Sequence, residues 1–160
     1  YDLRGRFAGP HSPHPQLHAV QRDDHIYLVT RRGEHQISAA GDRYFAPQLS
    51  PAGGHVVYQG LTRGLFVLRL EDRQTFALGQ GDHPSFSQDG RFLVFDRTDD
   101  DGQQLTGGEL YLTQLVHPRL RTTQLTSSAD SIELYPSLSA DGSRIAYLAE
   151  GVIWIAELTR

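Results

Sequence analysis

Two groups of side chains along this sequence have the residue types of a metal site. His11, His14 and His18 stand in His-Ser-Pro-His-Pro-Gln-Leu-His, and imidazole is the commonest protein ligand for zinc or copper. Pro13 and Pro15 stiffen the loop that would wrap an ion, and no carboxylate or thiol stands close by to complete the set. We therefore expect a solvated loop and no metal there. Asp96, Asp99, Asp100 and Asp101 crowd the stretch Asp96-Arg-Thr-Asp-Asp-Asp-Gly-Gln-Gln-Leu-Thr-Gly-Gly108. An EF-hand loop needs acidic or amide groups at its first, third and fifth positions, Gly at the sixth and Glu at the twelfth. With Gly102 sixth, Arg97 falls first and Gly108 twelfth, so that register fails. A solvated acidic hairpin is the expectation, with a looser calcium site as its alternative.

Other catalytic chemistries find no footing. Gly79-Gln-Gly-Asp-His-Pro84 has Pro where a dinucleotide fingerprint needs its third Gly, and a strand-forming run follows it instead of a helix. No Gly-x-Ser-x-Gly elbow occurs, and there is no Cys to serve as nucleophile or disulfide partner. We assign no catalytic residue and no cofactor, and read the chain as non-enzymatic.

The elements that would position any site come from an internal repeat. Phe45-Ala-Pro-Gln-Leu-Ser-Pro-Ala-Gly-Gly-His-Val-Val-Tyr58, His83-Pro-Ser-Phe-Ser-Gln-Asp-Gly-Arg-Phe-Leu-Val-Phe95 and Tyr135-Pro-Ser-Leu-Ser-Ala-Asp-Gly-Ser-Arg-Ile-Ala-Tyr147 are versions of one unit. Their marker serines, Ser50, Ser87 and Ser139, are 37 and 52 residues apart, straddling the roughly 40–50 residues of a four-stranded propeller blade. Asp89-Gly90 and Asp141-Gly142 sit between strand-forming runs, where Gly accepts positive φ and Asp bonds its own turn backbone. Ser87 and Ser139 are placed to cap those turns. In the first copy Ala52-Gly53 replaces Asp-Gly, so these carboxylates serve turns and share no chemical role.

Runs such as Arg91-Phe-Leu-Val-Phe95 and Val152-Ile-Trp-Ile155 are continuous, not alternating, which suits strands covered on both faces. No capped helical periodicity appears. The fold class is therefore all-β: a β-propeller of four-stranded antiparallel blades, with three and a half to four blades present. We place an N-terminal arm at 1–13, a partial blade at 14–40, blades at 42–80 and 81–128, the second carrying the acidic insertion, and an incomplete blade at 130–160. Tyr27, Phe66, Tyr111 and Trp154 recur at corresponding places and are expected to fill inter-blade interfaces.

The repeated Pro-Ser-Phe-Ser-Gln-Asp-Gly-Arg-Phe-Leu-Val-Phe and Pro-Ser-Leu-Ser-Ala-Asp-Gly-Ser-Arg-Ile-Ala-Tyr segments resemble the blades of TolB-like, WD40-like β-propellers over roughly residues 45–158. The same blade occurs in periplasmic TolB proteins, in the non-catalytic domain of prolyl-oligopeptidase-like peptidases and in oligogalacturonate lyases. The resemblance implies a non-enzymatic module that binds a protein or peptide at one rim of its central channel, in the periplasm or outside the cell. An envelope protein such as a peptidoglycan-associated lipoprotein is the partner class it implies. The alternatives are the gating propeller of a serine peptidase and a metal-dependent lyase of the oligogalacturonate type. Rim positions lie where the first strand of each blade begins: Tyr44, Asp82, His83, Glu133 and Tyr135 are the candidate binding residues. Polar and aromatic types of this kind suit a protein partner.

Charge and composition bound the partners. Nineteen acidic against fifteen basic residues give a net charge of −4, which argues against a general nucleic-acid surface. All the basic residues are Arg, with Lys and Asn missing, a pattern that GC-rich coding explains. No apolar run approaches a membrane span, so no membrane insertion is expected. The sequence contains no Met, and we expect it to be a processed part of a longer protein that holds further blades. Two other repairs of an open ring are pairing of two chains and closure by Tyr1-Asp-Leu-Arg-Gly-Arg-Phe7 as a missing outer strand.

Overall fold

The continuous apolar runs are strands buried on both sides. The computed structural model describes residues 17–116, 118–128 and 131–159; His11, His14 and the Tyr1–Phe7 segment lie outside them. Sheet A holds β1 (His18–Arg22), β2 (His25–Thr30) and β3 (Gly33–Gln36). Sheet B holds β4 (Tyr44–Leu49), β5 (His55–Gly60), β6 (Gly64–Arg69) and β7 (Gln74–Gly79). Sheet C holds β8 (Asp82–Phe86), β9 (Phe92–Asp100), β10 (Leu105–Gln114) and β11 (Arg121–Gln124), and sheet D holds β12 (Leu134–Leu138), β13 (Arg144–Ala149) and β14 (Val152–Glu157). Within each sheet every strand pairs antiparallel with the next. No helix occurs among the described residues, and four such meanders in succession form a partial β-propeller.

The Ser-x-x-Gly corners close as their residue types demand. In sheet C the Gly90 amide donates to the Ser87 carbonyl at 3.0 Å, and the Phe92 amide donates to Ser87 Oγ at 3.0 Å. Sheet D repeats this with Gly142 to Ser139 at 2.8 Å and Arg144 to Ser139 Oγ at 2.9 Å. Sheet B, without the Asp, does the same with Gly53 to Ser50 at 2.8 Å and His55 to Ser50 Oγ at 3.0 Å. Gly90, Gly142 and Gly53 have φ of 69°, 65° and 72°, the left-handed region where a Cβ is penalised.

Successive residues of a strand point to opposite faces, and here both faces meet a neighbouring sheet. On β5, Val56 and Tyr58 join Ile26, Tyr44 and Leu68 between sheets A and B, while Val57 joins Leu65, Val67, Leu93, Phe95 and Leu115 between B and C. On β9, Val94 turns the other way, to Leu110 and Ile145 between C and D. Aromatic rings fill these wedges as anticipated at two positions. Phe66 stacks on Tyr58 with centroids 5.5 Å apart, and Tyr111 stacks on Phe95 at 5.7 Å. Tyr27 is only half-buried on β2.

Trp154 departs from the expectation. It is 50% exposed on β14, beside Val152, Ile153 and Ile155 at 56%, 73% and 68%, because β14 ends the order of sheet D and no described sheet covers its outer face. The acidic insertion also differs from a simple loop: Asp96 to Asp100 belong to β9, so the hairpin lengthens as paired strand and turns only at Asp101 to Gln104. There the Asp101 carboxylate accepts the Gln103 and Gln104 amides, each at 2.9 Å.

Candidate functional site

Each of the three sheets with an inner strand breaks register where that strand begins, between Phe45 and Gln48, Asp82 and Ser85, and Leu134 and Ser137. At the break Ala46, His83 and Tyr135 adopt φ of 50°, 49° and 54°, each directly before a Pro. Positive φ at a non-Gly residue marks strain, and strain often marks function. Here it recurs in all three of these sheets, so it belongs to the fold: a kink that sets off one side chain where each inner strand begins. What is particular to this protein is which side chains stand at the kinks.

In sheet C the residue at the kink is His83, whose Nδ1 donates to Asp96 Oδ1 at 2.9 Å. Asp96 is wholly buried on β9, and its Oδ1 also accepts the Tyr135 amide of sheet D at 3.1 Å. Burial pushes the Asp96 carboxyl above its ordinary value, while the bonds from His83 and Tyr135 pull it back. The His83 and Tyr135 rings lie 3.9 Å apart, and Tyr135 is 55% exposed. On the other side Asp82 Oδ1 accepts a hydrogen bond from Gln59 Nε2 of sheet B, which also donates to the Gly81 carbonyl at 3.3 Å. One polar chain thus crosses three sheets, through Gln59, Asp82, His83, Asp96 and Tyr135.

The internal repeat shows that this cluster is not required by the blade. The cross-strand pairs Phe45 with Gln59, Asp82 with Asp96 and Leu134 with Leu148 are equivalent, so the Asp96 position holds an amide in one sheet and an aliphatic in another. Two neighbouring sheets manage without the buried carboxylate that sheet C keeps. His83 is 40% exposed, and its Nε2 has no hydrogen bond among the described residues. The arrangement can offer a ligand a ring nitrogen with an aromatic face beside it.

Of the five residues expected on a rim from sequence, Asp82, His83 and Tyr135 come together in one cluster. Tyr44 does not: it is 1% exposed and packs edge-on against Tyr58 and Phe66, with centroids 5.6 and 5.7 Å away. Glu133 is 6% exposed, with Oε1 accepting from Ser128 Oγ at 2.7 Å. Both precede the kink, at the place where sheet C has Gly81, and a Cβ on Gly81 would lie 2.6 Å from Phe95 Cδ2. That position turns inward between sheets, which corrects the reading of Tyr44 and Glu133 as rim groups. Asp96 and Gln59 were missed because Asp96 was read with the acidic insertion. Their shared column in the repeat, one residue after the aromatic that ends each run, was the available signal. No group of three or more His, Cys, Asp or Glu able to hold a metal ion occurs among the described residues.

No family model matches the sequence, and no curated protein matches it. Solved structures do resemble it. The tricorn protease matches with TM-score 0.63 and 12% identity, over 88% of this chain and 15% of that one. Dipeptidyl peptidase 4 of Porphyromonas gingivalis matches with TM-score 0.61 and 16% identity, over 83% of this chain and 26% of that one. A protein assigned as TolB from Agrobacterium tumefaciens matches with TM-score 0.53 and 19% identity, over 86% of this chain and 52% of that one. The chain thus spans about half or less of the proteins it resembles, and what it shares with them is the fold of the β-propeller.

Proposed function

We propose that the chain is a non-enzymatic propeller module of TolB-like type that binds a protein or peptide at the rim built by Asp82, His83 and Tyr135. The observation that supports this reading is the buried Asp96, present in one sheet and replaced in two, bonding both His83 and the Tyr135 backbone. A buried carboxylate is retained against its desolvation, and orienting an exposed imidazole beside an exposed ring is the use its geometry supports. Hairpin tips at the same end carry Asp23, Asp24, Asp101 and Glu150 against Arg43 and Arg63, which favours a partner with basic groups. A peptidoglycan-associated lipoprotein is the partner, and the periplasm the compartment, that the TolB likeness implies.

The test borrows from the repeat. His83→Ala with Asp96→Gln copies the Ala46 and Gln59 pair of sheet B, and should leave stability within about 1 kcal/mol of the parent. Binding to the soluble domain of a purified peptidoglycan-associated lipoprotein, followed by surface plasmon resonance, should weaken at least tenfold in that variant and in Tyr135→Ala, and stay unchanged in Arg144→Ala at the opposite end. Equal affinity in all four proteins would remove the rim from consideration, and no binding by the parent would remove the TolB-like partner. A second reading, the non-catalytic propeller of a serine peptidase, is favoured by the higher TM-scores of the two peptidases. A Gly-x-Ser-x-Gly segment elsewhere in the parent gene would decide for it.

A further inference from the structure

At the end of the molecule away from the rim, sheets A and B splay apart and leave a cleft of about 630 Å³. Its floor is apolar, with Leu28 and Ile37 from sheet A facing Leu68 and Leu70 from sheet B. Among the described residues nothing large fills the wedge from the outer strands: β3 is Gly-Glu-His-Gln, and β7 turns Thr75 toward the gap. Its lip is basic. Arg31 and Arg32 come from the turn between β2 and β3, Arg73 from the turn between β6 and β7, and His35 from β3. Among the described residues no carboxylate lines the cleft, and none of the three guanidiniums forms a salt bridge. Three guanidiniums with no salt-bridge partner among the described residues, around a greasy floor in a protein whose net charge is −4, are complementary to one kind of small molecule.

We propose that this cleft binds an anionic amphiphile, a free molecule with an alkyl or aryl body and a carboxylate or comparable oxyanion head. The volume lies within the roughly 300–1,000 Å³ of small-molecule sites. The body lies along Leu28, Ile37, Leu68 and Leu70, and the head meets Arg31, Arg32 and Arg73, whose planar forks match an oxyanion. This site is independent of the rim, so either can fail without the other.

Isothermal titration of the intact protein with decanoate, against 1-decanol as the uncharged homologue, tests it. Decanoate should bind at least tenfold more tightly than decanol and weaken as salt rises. Arg31→Ala with Arg73→Ala should weaken it at least tenfold while leaving the melting temperature unchanged. Thr75→Trp, which fills the wedge without touching a charge, should also abolish binding, so a folding defect in the arginine variant would not decide the matter. Ile153→Lys, on the exposed strand of sheet D, should leave binding intact. Absence of decanoate binding, equal binding of decanol, or loss of binding only in Ile153→Lys would each overturn the proposal.

Discussion

Asp89 and Asp96 lie on one sheet and are pulled in opposite directions. The Arg91 amide and the Ser87 hydroxyl donate to Asp89 and hold its carboxyl at about 2, below the ordinary 3.8. A depressed carboxyl contributes stability that is present above its unfolded value and lost as pH falls through the folded one. Asp89→Ala should therefore flatten the loss of stability between about pH 4 and pH 2, read from urea midpoints across that range. An unchanged slope would mean that this corner adds nothing measurable beyond its Ser. Asp96 has the raised sense, so its contribution fades as pH rises through its folded value, and its two donors limit that loss. The corner residues were legible in the sequence because Ser, Asp and Gly act on backbone within a few positions of themselves. Asp96 was not, since its partners sit on two other strands and its neighbours in sequence are exposed aspartates. Tyr44 failed for a related reason: an aromatic near a strand start reads equally as a mouth residue or a wedge, and only packing decides.

At the level of the strand, glycine and alanine exchange meanings with position. Gly64 has φ of 75°, and a Cβ there would lie 2.2 Å from the Gly79 carbonyl oxygen, so Gly64→Ala should lower stability by about 3 kcal/mol or more. Ala46 has φ of 50° at the kink, where a Cβ is already strained. Ala46→Gly should be nearly neutral, the relief offsetting the added freedom of the unfolded chain, whereas Ala46→Val should destabilise by about 1–3 kcal/mol. Chemical denaturation of the three variants gives the order; a destabilised Ala46→Gly would contradict the strained kink. The strands themselves followed from apolar runs such as Phe92 to Phe95, which alternate between two covered faces. The kink did not, because it arises where the pairing of two strands slips and no single residue type announces a slip.

For the molecule as a whole, the open end of sheet D has the largest physical consequence. Among the described residues, Ile153 and Ile155 present an uncovered apolar face beside an outer edge of β14 that has no partner strand, with Val152 and Trp154 also exposed there, the combination that templates association between chains. The isolated chain should self-associate at high micromolar concentration in sedimentation velocity, and Ile153→Lys with Ile155→Lys should return it to monomer without lowering its melting temperature. Persistent association in that variant would place the contact elsewhere. The kinked entry position has a different reach. Because Ala46, His83 and Tyr135 project from one strained joint per sheet while the walls are packed by other residues, a lineage can rewrite these letters one at a time and leave the architecture untouched. One ring can thus come to greet unrelated visitors, and scaffolds with 12 to 19% identity to this one do keep the same shape.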